Sequence, residues 1–223
     1  MPGKEIKGGR PVVRLWARAL AVALAAFAAS GLYFYVRQFM KDEVWRFNPG
    51  LVNKALAAAA FFLLIVSMAL TGKSYFSRRS TKALAYRKHL GLVGFWTALA
   101  HAAVTHVLLP AAGLRPERKI EALNSDWPGI AALVLFGAMA LVSRAGVKGR
   151  LGGEAWRRLL RYGGYAGLVL AAGHAALLKW SSWTNYFRTF DPVLPSLSLP
   201  LTAFAAGACV LRLAVWISAK RRP

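Results

Sequence analysis

The chain has 223 residues, 57% of them hydrophobic, and its 17% of charged residues fall in short clusters between long apolar runs. That layout excludes a soluble globular domain and indicates a polytopic membrane protein. A net charge of +22 would suggest nucleic acid in a soluble chain, but insertion topology and contact with anionic lipid head groups account for it here, so no nucleic-acid partner is expected.

Six segments are each long enough, at roughly 20 residues, to cross the hydrocarbon core: 15–36, 51–71, 89–110, 127–147, 159–179 and 197–217. The first has the basic flank of a signal peptide, but it is too long and lacks a small-residue cleavage pattern, so it is read as a helix. Lys and Arg collect in the N-terminal arm, in 73–88, in 144–161 and in the C-terminal tail, which together hold 20 of the 30 basic residues. The three other connections hold six of the eight acids, Asp42, Glu43, Glu117, Glu121, Asp126 and Asp191. Basic residues are retained on the cytoplasmic side of short loops. The expected fold is therefore all-α, a six-transmembrane-helix bundle forming a single domain over 1–223, with both termini cytoplasmic.

The connections are too short for an independently folded unit, so there is no flavin domain and no nucleotide-binding glycine fingerprint. Between 179 and 200, Trp180, Trp183, Tyr186 and Phe187 read as an interfacial belt on the outer side; docking of an external partner is the second reading of that stretch. Cys209 is the single cysteine and leaves no internal disulfide or thiolate cluster. Arg212, in the last span, is near enough to its cytoplasmic end to snorkel.

Three of the chain's four histidines, His89, His101 and His106, fall in the third span. Aligned on that span, the fifth shows the same spacing: Gly91, Gly94, Ala98 and His101 against Gly164, Gly167, Ala171 and His174. On a helix turning about 100° per residue, each set of four lies on one face. Two co-directional spans thus each present an imidazole above a strip of small residues, at similar depth in the outer half of the bilayer. A neutral imidazole nitrogen facing a groove is what axial ligation of haem requires, and two of them make a six-coordinate iron suited to electron transfer. The competing reading is that small residues let helices approach and a buried histidine hydrogen-bonds across the contact. His106, five residues beyond His101 and about 140° around a regular helix, is not expected to share a cofactor with it. His89 belongs at the cytoplasmic interface.

The sequence Arg87, Lys88, Leu90, Gly91, Leu92, Phe95, His101 resembles the ferric-reductase-like transmembrane family, and within it the haem-binding membrane subunit of the bacterial methionine sulfoxide reductase system. The stretch that opens with Asn48 and Pro49 and ends at Thr71-Gly72 is similar to the preceding family helix. Trp156, Tyr165 and His174 are similar to the family's fifth helix. The resemblance covers about 45–180. One departure stands out: where the family has a further histidine at the cytoplasmic start of the fifth helix, this chain has Leu160 and Arg161. The resemblance implies one haem b, held by His101 and His174, with His106 as an alternative partner for His174. Gly94, Ala98, Gly167 and Ala171 would form the groove walls, and Arg115, Lys179 and Arg188 would receive the propionates. It also implies a multi-pass electron-transfer subunit of an oxidoreductase in the bacterial inner membrane. Electrons would pass from the quinone pool or an external flavin reductase to a periplasmic molybdenum reductase or to external ferric iron. The rival classes are a small transporter whose histidines bind a metal ion or a proton, and a scaffold or assembly subunit. No Asp or Glu falls inside an expected span, which weighs against ion coupling.

Overall fold

In the computed structural model, which describes residues 9–43, 45, 47–77, 81–114, 120–143 and 152–220, all regular structure is helical. The long elements are α1 (Gly9–Asp42), α2 (Pro49–Phe76), α3 (Tyr86–Ala103), α4 (Ile120–Val142), α5 (Gly153–Thr189) and α6 (Ser198–Lys220). A short helical turn, Thr81–Leu84, precedes α3, and α3 continues through a π turn, Val104–Leu108, into Leu109–Ala111. Four stretches, Val12–Asp42, Pro49–Phe76, Tyr86–Ala111 and Ser198–Lys220, are long and apolar enough to cross a membrane. The apolar part of α4, Asp126–Val142, is shorter than a full span. α5 has 37 residues, about 55 Å at 1.5 Å per residue, but carries Arg157, Arg158 and Arg161 at one end and Lys179, Asn185 and Arg188 at the other.

α2 is the central helix. Asn48 caps its start in extended conformation, its Oδ1 accepting the Gly50 N–H at 2.7 Å, and Pro49 occupies the first turn, where no N–H is needed. Beyond that cap the helix is apolar on all sides and packs against α1, α3, α6 and, at fewer points, α5. Its faces feed three cores. Phe61, Ile65 and Met68 meet Leu168 of α5 and Leu201 and Ala205 of α6. Leu63 meets Ala19 of α1 and Leu90 and Val93 of α3. Leu64 meets Ala132 and Phe136 of α4.

The helix of the expected fifth span extends further than the hydropathy suggests. Instead of ending at 179, the helix runs to Thr189 and stops at Phe190, whose φ of 53° is left-handed. Asp191-Pro192 follows, and the residue before a proline disfavours helix, so local chemistry accounts for the stop. Trp183, expected in a lipid-facing belt, is buried, and its Nε1 donates to Ser198 Oγ at 3.1 Å, joining α5 to the start of α6. Trp180 and Phe187 remain exposed. Arg37 Nε donates to Leu194 O at 3.0 Å and Tyr33 OH to Pro195 O at 2.8 Å, which fastens α1 to the segment before α6.

Close helix contacts use the glycines of the small-residue strips. A Cβ on Gly94 would lie 3.1 Å from Leu63 Cβ, and one on Gly167 would lie 2.8 Å from Phe136 Cζ. Gly167→Val is therefore expected to force α4 and α5 apart, at about 1–3 kcal/mol for overpacking. Thermal unfolding in detergent checks it; an unchanged midpoint would show that Phe136 yields freely.

Candidate functional site

α3 and α5, the helices that carry the paired histidines, are held apart by α2 and α4, which pack against both. Between them lies a cavity of about 600 Å³, within the size range of small-molecule and cofactor sites. His101 and Ala98 line it from α3, His174 and Ala171 from α5, Leu64 from α2 and Phe136 from α4. Both imidazoles thus border one cavity. The four small residues divide: Ala98 and Ala171 form cavity wall, whereas Gly94 and Gly167 lie one layer behind, against Leu64 and Phe136, whose side chains are the lining.

His101 is held by hydrogen bonds. Its Nδ1 lies 2.8 Å from Asn53 Oδ1, and Asn53 Nδ2 donates to Thr105 Oγ1 at 2.8 Å. Because the amide oxygen only accepts, Nδ1 carries the hydrogen and Nε2 carries the lone pair. His174 is held by shape. A Cβ on Gly129 of α4 would lie 2.9 Å from His174 Nδ1 and 3.0 Å from its Cγ and Cε1, so the ring occupies the space that any larger residue at 129 would fill.

His106 also lines this cavity, contrary to the expectation that it faces away from the space His101 borders. The reason is the π turn: Leu109 N–H bonds to Val104 O, five residues back. Pro110 has no N–H to give and its ring crowds the carbonyl four residues earlier, so the preceding turn opens. A turn closing on the fifth residue swings His106 back toward the line of His101. His89 is elsewhere, its Nδ1 at 3.2 Å from Ala85 O and its ring edge-on to Trp16 of α1.

One end of the cavity is charged. Lys54 of α2 and Lys179 of α5 line it together with Asp126 of α4, and Lys179, Arg37 and Lys41 are all close enough for their charges to act on Lys54. Asp126, expected in a connection, lies within a helix and is buried, because α4 starts at Ile120, earlier than hydropathy places it. Of the three cations expected to serve propionates, Lys179 is at the cavity, Arg188 is exposed at the end of α5, and Arg115 lies outside the described residues.

Among the described residues no three His, Cys, Asp or Glu side chains converge closely enough to hold a bare metal ion. His101 and His174 border one volume together with Ala98 and Ala171, an arrangement that could hold a flat macrocycle. Asn53, Thr105, Gly129 and Lys54 were not singled out by the reading of the sequence. Two of them carried a signal: an amide within an apolar span needs a partner, and a Pro128-Gly129 pair inside a helix needs a packing reason.

Residues 55–171 match the model of the family described as ferric reductase like transmembrane component. That region contains His101, Ala98 and Ala171, and His174 follows three residues after it. No curated protein matches the chain.

Proposed function

Because the chain belongs to the ferric reductase like transmembrane family, a membrane electron-transfer subunit by that membership, we propose that it is a b-type cytochrome with a single haem between His101 and His174. The observation that carries this reading is the cavity itself, bordered by one imidazole from α3 and one from α5 while α2 and α4 keep those helices apart. Bound there, with His101 and His174 as the residues that would hold it, a haem would supply one-electron oxidation and reduction.

The chain's own residues do the rest. His101 offers Nε2 because Asn53 holds the hydrogen on Nδ1. Ala98 and Ala171 leave room for a ring plane, and Phe136 and Leu64 give it an apolar wall. Lys54 and Lys179 offer charge-assisted hydrogen bonds to carboxylates at the charged end. A single haem is supported at the opposite end, where Arg161 occupies the position of the family's further histidine. The charges of Arg161 and Arg212 act on Arg87 there, a cationic cluster with no imidazole.

In this reading the six helices span the bacterial inner membrane with both termini in the cytoplasm, as the basic clusters favour. Electrons enter from quinol or a separate flavin reductase and leave outward to a periplasmic acceptor, such as a molybdenum-dependent methionine sulfoxide reductase, or to ferric iron. The test is the visible spectrum of detergent-purified protein, oxidised and dithionite-reduced. A Soret band that shifts on reduction, with resolved α and β bands, is expected. Colourless protein that stays colourless after haem addition would overturn the reading in favour of a scaffold.

A further inference from the structure

We propose that Asn53 is a positioning residue that sets the tautomer and the electron-donor strength of His101, and through them the reduction potential of the site; the inference rests on the haem reading above. Asn53 and Thr105 are each only 8% exposed, and a buried amide costs free energy unless its oxygen and its NH2 both find partners. Here both do. Oδ1 takes the His101 Nδ1–H at 2.8 Å, Nδ2 gives to Thr105 Oγ1 at 2.8 Å, and Thr105 Oγ1 lies 3.5 Å from His101 Nδ1. His101 and Thr105 are four residues apart on one helix and so share a face, and a single side chain from α2 closes over both. In this arrangement the amide presents its oxygen to the ring and its nitrogen to Thr105.

The consequence follows from acid–base chemistry. An acceptor on Nδ1–H makes the imidazole more electron-rich at Nε2, the nitrogen a metal would use, and outer partners of this kind tune ligand strength. A stronger acceptor at 53 favours the oxidised iron and lowers the potential; loss of the acceptor raises it. A role confined to helix packing makes a different demand, because packing requires only a side chain of the right volume.

Asn53→Asp and Asn53→Leu separate the two, since both approximate the volume of Asn while one keeps the acceptor and the other removes it. Midpoint potentials are read by spectroelectrochemical titration of the purified protein, and haem affinity by titrating haem into apoprotein. Asn53→Asp is expected to shift the ferric-over-ferrous preference about tenfold, a fall of about 59 mV for one electron. Asn53→Leu is expected to raise the potential and to weaken haem binding roughly 10- to 100-fold. Thr105→Val, a milder change that frees the amide to turn, is expected to raise the potential by less. Haem-loaded variants whose potentials all match the wild type overturn the inference alone. Wild-type protein that takes up no haem overturns the functional reading and this inference together.

Discussion

Alanine in place of His101 or His174 is expected to abolish the bound-haem Soret band of the purified protein, whereas His89→Ala leaves it nearly intact. The asymmetry follows from where the three rings lie. His101 and His174 border the cavity between α3 and α5, and His89 packs on Trp16 of α1. Each imidazole would supply one of the two protein bonds to the iron, and the alanines, Leu64 and Phe136 of the cavity wall cannot replace it. His106→Ala discriminates further, because the π turn brings that ring to the same cavity. If His101 and His174 are the ligands, His106→Ala keeps a six-coordinate spectrum; if His106 partners His174, the losses at 101 and 106 exchange. Equal haem content in the 89, 101 and 174 variants would refute the ligand assignment.

Gly129→Ala, a change of one methyl group on a helix with no ligand of its own, is expected to weaken haem binding. The added carbon would meet the His174 ring at 2.9–3.0 Å on three of its atoms, and a ring packed on its Cγ side has no flexible end to give way. Overpacking of this kind costs about 1–3 kcal/mol, which corresponds to roughly 5- to 150-fold in affinity. Haem titration of apoprotein measures the loss, and circular dichroism checks that helix content is unchanged. Gly167→Val is the internal comparison: it strains the neighbouring contact between the same two helices but meets Phe136 instead of the imidazole. Haem affinity in Gly129→Ala equal to that of wild type would mean that His174 is free to turn away and is not held for ligation.

The long apolar runs make the helices legible in the sequence, because burying a backbone in lipid admits little else. The ends of α5 are not legible in the same way. Its polar overhang to Thr189 carries no hydropathy signal, and only the Asp191-Pro192 step marks the stop. That His101 and His174 border one cavity follows from the repeated spacing, since both helices are regular up to those residues. His106 fails for the converse reason: a fixed 100° step does not hold once Pro110 opens the turn before it. Asn53 and Gly129 lie on α2 and α4, so a comparison of the third and fifth spans contains neither. Contacts between helices depend on how the bundle closes, and spacing along one strand of sequence does not encode them. The same holds for Asp126, which moves from loop to buried helix when α4 begins several residues before its apolar run.

The central claim is that one imidazole from α3 and one from α5 fill both axial positions of a single iron. Low-temperature electron paramagnetic resonance of the oxidised, purified protein tests it most directly. The account predicts a low-spin ferric signal from one haem with two nitrogen ligands, converted to high spin or lost when either His101 or His174 is replaced. A high-spin signal in the unaltered protein, or a low-spin signal that survives both replacements, would contradict it.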